Sequence, residues 1–338
     1  MTESTLTHEP SPDLRPLLEV SNLHTRFHTH RGVVQAVNGI SFAIREGELV
    51  GLVGETGCGK SVTARSLLGL VRSPGRIAEG EIVFDGIDLR SLSGRDFRKL
   101  RGTGISFVPQ NPWGALNPIL RIERQFRNVI RAHTGASRSE CWDMSLAMLN
   151  KVGIQGPERI LKGYTHQLSG GMAQRVVMAI ALVLNPRLVI ADEPTTGLDV
   201  TIQRQILDMV MELLAAERRA MLLVTHDLGV VAQYCHRVIV MYAGKIVEEG
   251  PVAEVFVNPA HPYTQALLAA IPRPGQKLVS LRGRVPSLID YPQGCPFADR
   301  CEHAFAPCSV DEPLLRELSA ARHFACHLDG GVSERVAG

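Results

Sequence analysis

Gly54-Glu55-Thr56-Gly57-Cys58-Gly59-Lys60-Ser61 fits the pattern G-x-x-x-x-G-K-[ST]. It follows the apolar run Leu49-Val50-Gly51-Leu52-Val53 and precedes a helix-like stretch, residues 61–70. A strand, a glycine loop and a helix, in that order, form the setting this pattern needs. The glycines let backbone N–H groups turn inward around phosphate oxygens, and the helix start adds its positive end. In such a loop Lys60 reaches the β- and γ-phosphates and Ser61 binds Mg²⁺. Taken alone the stretch is a Gly-rich turn; its flanks favour a phosphate cradle in an α/β fold.

Two further stretches have their own uses for a triphosphate. Leu168-Ser169-Gly170-Gly171-Met172 opens a long apolar run free of Gly and Pro, residues 172–182, which reads as a buried helix. A Ser hydroxyl and bare N–H groups at a helix start make a second anion site. Standing alone, it is an ordinary helix cap. Leu188-Val189-Ile190-Ala191-Asp192-Glu193-Pro194 is an apolar strand ending in two acids. A parallel strand buried on both faces is apolar throughout, and ligands of open α/β sheets sit outside the carboxyl ends of the strands. There Asp192 would hold Mg²⁺ and Glu193 would polarise an attacking water. Without the other stretches, the pair reads as surface carboxylates in salt bridges.

The chain has 338 residues, room for one large domain and an appendage. Its hydrophobic fraction of 45% suffices for a sizeable core. Net charge is only +2, which gives no broad electrostatic case for nucleic acid. Residues 1–16 are polar and Pro-containing and read as a disordered tail, not a signal peptide. The longest apolar run, residues 176–184, falls far short of the ~20 residues that span a bilayer. The chain is expected to be soluble by itself. Strands are expected near residues 18–23, 36–44, 188–191, 221–225 and 238–242, with a hairpin over 243–250. Residues 111–167 break the αβ rhythm and are mostly helical. The pattern is α/β with a parallel core beside an antiparallel β-layer.

The three stretches and their order resemble the ATP-binding subunits of ABC transporters. The resemblance implies an ABC-type P-loop ATPase core with an antiparallel β-layer and a helical subdomain. It assigns ATP contacts to Gly54, Glu55, Thr56, Gly57, Cys58, Gly59, Lys60 and Ser61, with Phe27 under the adenine. Gln110, after Ile105-Ser106-Phe107-Val108-Pro109, matches the Q-loop glutamine that senses Mg²⁺ and the attacking water. His226, after the 221–225 strand, matches the switch histidine at the γ-phosphate and joins Glu193 as a catalytic residue. Mg²⁺ falls to Ser61, Gln110 and Asp192. Gly197-Leu198-Asp199 matches the D-loop, whose Asp199 is the residue carried over; relatives often have Ala where Gly197 stands. Ser169, Gly170, Gly171 and Gln174 form the signature, which closes in trans over ATP held by a second subunit. One copy of each motif implies two composite sites in an obligate pair. By themselves Phe27 is a core residue, Gln110 a loop residue and His226 a surface residue.

Ala115-Leu116-Asn117-Pro118, His261-Pro262-Tyr263-Thr264-Gln265-Ala266-Leu267-Leu268 and the long tail resemble the oligopeptide and dipeptide importer subset. Relatives commonly read Ile-Gly-x-Gln where Ile122-Glu123-Arg124-Gln125 stands, Arg in place of Ala173 and Glu in place of Gln167. The implied layout is a tail over 1–16, a nucleotide-binding domain over 17–255 with its helical subdomain about 111–170, and an extension over 256–338. The implied function is ATP-driven peptide import. The partners are an identical or homologous ATP-binding subunit, two transmembrane permease subunits and, indirectly, a solute-binding protein, with no nucleic acid. The place is the cytoplasmic side of the cell (inner) membrane, peripherally bound. Glutathione, an opine or a metal chelate stands as an alternative solute. DNA-maintenance ABC ATPases are a remoter alternative, since only 107 residues separate Ser61 from Ser169 and no heptad run fills them. Translation-type ABC proteins carry two cassettes in one chain.

Four of seven cysteines crowd the tail: Cys295, Cys301, Cys308 and Cys326, with gaps of five, six and seventeen residues. Clustered thiols in a cytosolic protein favour a metal over disulfides. Soft thiolates suit tetrahedral Zn²⁺ or an iron–sulfur cluster, and free thiols are the third reading. No C-x-x-C occurs, and His303, His323 and His327 are further zinc candidates. The tail resembles the Cys-rich end of peptide-importer ATPases, some of which carry a [4Fe–4S] cluster. The tail can bury little core by itself, so such a cluster is expected to be structural, and substituting any one of the four Cys by Ser is expected to loosen the tail while leaving ATP binding by the core largely unchanged. Cys58, Cys141 and Cys235 are isolated and read as structural.

Overall fold

Alternating burial carries two long strands at the amino end, Pro16–Thr29 and Gly32–Arg45. They pair antiparallel through the turn at Thr29 and Gly32. Gly75–Phe84 pairs antiparallel on the other side of the first strand, and Ile87–Asp88 closes a four-stranded sheet. The computed structural model describes residues 15–272, 281 and 283–329. The tail expected over 1–16 lies outside the described residues up to residue 14, and Pro16 already opens the first strand.

The chain gathers into two compact units: Met1–Arg90 with Val224–Gly338, and Ser91–Leu223. In the first, Leu49–Val53 is buried at every position and runs parallel to Arg237–Tyr242. Apolar side chains on both faces suit a central strand. Lys245–Pro251 returns antiparallel to Arg237–Tyr242. The turn between them is Ala243-Gly244, with φ of 47° and 82°, the left-handed pair a two-residue hairpin requires. The sequence reading places a hairpin over 243–250; the structure makes that range the turn and return strand of a hairpin whose first strand is Arg237–Tyr242. Arg322–Phe324 and Arg316–Ser319, both from the tail, continue the same sheet edge antiparallel. Their few residues carry too little alternation to be read as strands from sequence.

The second unit holds the parallel pair Ile105–Val108 and Leu188–Asp192, with Ala220–Val224 next to it in strand order. Its expected helical stretch resolves into Pro112–Ala115, Ile122–His133, Arg138–Lys151 and Pro157–Lys162, then a 3₁₀ turn at Thr165–Gln167. Ser137 and Glu140 cap Arg138–Lys151 reciprocally: the Ser137 hydroxyl accepts the Glu140 N–H, and Glu140 accepts the Ser137 N–H at 2.7 Å. Gly170–Leu182 follows with Ala173, Val176, Val177 and Ala179 buried. No described helix is long and apolar enough to cross a membrane.

Candidate functional site

In the first unit, Leu49–Val53 delivers the chain into the glycine loop. Gly54, Gly57 and Gly59 have φ of 149°, 85° and 108°. Side chains rarely adopt such values. Space is equally restrictive, since a Cβ on Gly54 would collide with the Met241 carbonyl and one on Gly59 with the Ala36 carbonyl. Helix Lys60–Leu67 therefore starts from a residue with no capping side chain. The cap residue offers the N–H groups of the first turn no side-chain acceptor, and N–H groups of that kind suit an anion. Lys60 is 5% exposed, and its Nζ donates to the carbonyls of Gly54 at 2.7 Å and Glu55 at 3.0 Å. The ammonium is thus already at the mouth of the loop. Cys58 is fully buried, and burial raises its thiol pKa. Ser61 is half-buried on the first helical turn.

Phe27 lies on the first strand, half-buried, with its ring against Gly75. His226 is exposed just after Thr225, whose N–H donates to the Leu52 carbonyl at 3.1 Å. That bond fixes where the chain leaves its strand, beside the strand that leads into the loop.

In the second unit, Leu188–Asp192 is buried throughout and ends on Asp192, 2% exposed. Glu193 follows with φ of 47°, an unfavourable value for a residue with a side chain. The turn brings the Glu193 carboxylate to Gln110, whose Nε2 donates to Oε2 at 2.9 Å. Thr196 Oγ1 donates to the same oxygen at 3.0 Å. Two residues 83 apart in sequence are thereby brought into one site.

Ser169 is exposed and caps Gly170–Leu182 by accepting the Met172 N–H at 3.3 Å. Gly171 admits Ile202 so closely that a Cβ there would come within 2.9 Å of it. Gln174 is only 1% exposed, and its Nε2 has no hydrogen-bond partner among the described residues. It lies deeper than Ser169. Asp199 is exposed and caps Val200–Ala216, accepting the Thr201 N–H at 2.8 Å.

Cys295, Cys301, Cys308 and Cys326 line one small cavity with His303 and His327. All four are free thiols. The Cys295 N–H donates to the Cys308 carbonyl at 2.8 Å. Burial, reinforced by the neighbouring thiols, pushes Cys295 up to about 12 and raises Cys301 and Cys326 as well. Charging such a group requires a compensating cation. The donor set is soft, the type that thiophilic metals take, and it lines one cavity. Among the described residues, however, no group of three His, Cys, Asp or Glu is arranged tightly enough to hold a metal ion. Of the three candidate histidines, His323 turns away to Glu249 at 3.2 Å.

Sequence reasoning missed two residues at the glycine loop. Tyr263 Oη accepts the Glu55 N–H at 2.8 Å. Arg300 donates to both Glu55 carboxylate oxygens, at 2.6 and 3.0 Å. They lie 208 and 245 residues beyond Glu55, so no local motif could point to them.

A buried parallel strand, a glycine loop at a helix start and an acid-tipped strand define an ATP-binding cassette of the α/β class. Residues 37–196 match the ABC transporter family and residues 247–308 the oligopeptide/dipeptide transporter C-terminal region. The chain belongs to the ABC transporter ATP-binding proteins, in their oligopeptide/dipeptide branch. It is 43% identical to the dipeptide transport ATP-binding protein DppD of Escherichia coli, over 92% of this chain and 96% of that one. It is 45% identical to the oligopeptide transport ATP-binding protein AppD of Bacillus subtilis, with the same coverage. Among solved structures it resembles the dimeric bacterial ABC transporter cassette MJ0796, with TM-score 0.63 and 29% identity over 70% of this chain and 98% of that chain.

Proposed function

We propose that this chain is the ATP-hydrolysing subunit that energises import of di- or oligopeptides through two separate permease subunits. It works at the cytoplasmic side of the cell membrane, paired with a second ATP-binding subunit and served indirectly by a solute-binding protein. The observation that carries the hydrolytic part is the 2.9 Å bond from Gln110 to Glu193. It presents a carboxylate at a strand's carboxyl end, where ligands of such sheets sit. The peptide part rests on relatives named for peptide transport that match more than nine-tenths of the chain.

The residues divide the work as follows. N–H groups of the loop Gly54 to Ser61, apart from those of Glu55 and Cys58, which donate to Tyr263 and to the Glu55 carbonyl, cradle the phosphates, and Lys60 exchanges two carbonyls for the β- and γ-phosphates. Phe27 stacks under the adenine. Ser61, Gln110 and Asp192 would hold Mg²⁺, which would supply positive charge against the phosphates. Glu193 polarises the water, Gln110 orients it and His226 touches the γ-phosphate. Ser169, Gly170, Gly171 and Gln174, with Asp199, close the site of the opposite subunit. In this reading residues 17–255 are the cassette, 111–170 its helical subdomain and 256–338 an extension. Cys295, Cys301, Cys308 and Cys326 hold a [4Fe–4S] cluster there, with Zn²⁺ as the alternative. What supports that reading is the softness of four thiols around one cavity; among the described residues no three such groups stand close enough to grip an ion without rearrangement.

Steady-state ATP hydrolysis tests the catalytic assignment. Glu193→Gln should bind ATP normally and turn over about a hundredfold more slowly or worse. Near-normal turnover would remove Glu193 from its role. Elemental analysis of anaerobically prepared protein tests the tail: about four irons per chain are expected. One zinc and no iron would replace the cluster with a single ion, and no metal would reject both.

A further inference from the structure

Glu55 is the most thoroughly held residue of the glycine loop. Its carbonyl accepts from Lys60, its N–H donates to Tyr263, and its carboxylate takes both arms of Arg300. Only the first of these partners belongs to the loop. We propose that Arg300 and Tyr263 are positioning residues of the ATP site, through which the cysteine-bearing tail holds the phosphate loop in its binding shape. The inference rests on the reading of Gly54 to Ser61 as the ATP loop.

Both partners come from rigid surroundings. Tyr263 is fully buried, and its ring packs against Tyr242 at 4.6 Å and Phe297 at 5.4 Å. Burial raises its phenol pKa, and the neutral hydroxyl oxygen accepts the Glu55 N–H. Arg300 ends the 3₁₀ turn Ala298–Arg300, directly before Cys301. Its side chain is 4% exposed and also donates to Tyr242 Oη at 3.2 Å. A bidentate arginine–carboxylate pair fixes orientation as well as distance. The pair is shielded on the arginine side, which separates it from ordinary surface ion pairs.

The loop must point N–H groups inward and keep its carbonyls from the phosphates. Fixing the first residue after Gly54 from outside sets the direction in which the N–H groups after it point. Its N–H is spent on Tyr263, and its carbonyl is turned to the Lys60 side. Ordering that residue before ATP arrives removes an entropic cost from binding. The expectation that loosening the tail leaves ATP binding largely unchanged therefore does not follow from these contacts.

The test uses the full chain and measures KM for ATP, kcat and the thermal midpoint together. Arg300→Ala should raise KM about tenfold, the weight of roughly one ordered residue, while kcat stays within about twofold. A merely structural role would instead lower the active fraction, seen as a loss in kcat at constant KM. Arg300→Lys keeps the charge but loses the fork, and should fall between Arg300→Ala and wild type. Glu55→Gln combined with Arg300→Ala should be no worse than Arg300→Ala alone, because both act through one contact. If Arg300→Ala does not fold, Arg300→Lys and Tyr263→Phe decide, and normal KM in both overturns the proposal. Lys60→Ala is the control. Should it raise KM while Arg300→Ala does not, the positioning role fails and the ATP loop stands. Should Lys60→Ala leave KM unchanged, the loop reading fails and the inference falls with it.

Discussion

Lys60 shows how a single side chain can be ready for a ligand. Its ammonium sits on two backbone carbonyls, 2.7 and 3.0 Å away, which are weaker partners than phosphate oxygens. Exchange for ATP replaces neutral acceptors by charged ones without drawing the chain from a distant resting place. Lys60→Ala should remove a charge-assisted contact of about 1.5–3 kcal/mol. Nucleotide affinity should then fall about tenfold or more. Isothermal titration with ATP checks this, and an unaltered affinity contradicts the loop assignment. Glu193 illustrates a different device. Its backbone φ of 47° is a local strain, and two hydrogen bonds to one carboxylate oxygen hold the result. Strain at a site is retained where the surroundings over-determine it.

At the scale of elements, the buried pair Glu248–Arg322 joins the tail to the cassette strand Lys245–Pro251. Glu248 is 0% exposed and accepts from Arg322 at 2.7 Å and from the N–H groups of Ala260 and His261 at 2.8 and 2.9 Å. Arg322→Met would leave that carboxylate buried without its counter-charge. Breaking such a pair costs about 3–5 kcal/mol, so a clear fall in the unfolding midpoint by denaturant titration is expected. An unchanged midpoint would show that the two backbone donors alone suffice. The same pair marks where sequence reading stops. Leu188–Asp192 and Leu49–Val53 were legible because their burial makes them apolar end to end. The hairpin was legible only in its return strand, since its turn sits at Ala243-Gly244, at the very start of the expected range 243–250. Arg322–Phe324 was not, because a three-residue strand with Arg and His in it has no periodicity to detect. Site residues showed the same division. Lys60, Ser61, Asp192 and Glu193 stand in contiguous motifs. Tyr263 and Arg300 reach Glu55 only through the fold.

For the whole molecule, the central feature is incompleteness. One chain carries one glycine loop and one Ser169 cap, and Ser169 is exposed at its helix start. In the proposed pairing, this exposed helix start serves the ATP of the other subunit. The proposed pairing predicts the outcome of mixing subunits. In a dimer with Lys60→Ala in one subunit and Ser169→Arg in the other, both defects should fall on the same composite site. The second site should still occlude one nucleotide. Loss of both occluded nucleotides argues against closure in trans.

The most direct measurement is peptide uptake into membrane vesicles that contain the chain with its permease subunits and binding protein. Wild-type chain should give ATP-dependent accumulation of di- or oligopeptide, and Glu193→Gln should abolish it while the assembled complex still binds ATP. Equal uptake with both chains, or ATP hydrolysis that moves no peptide, would contradict the account.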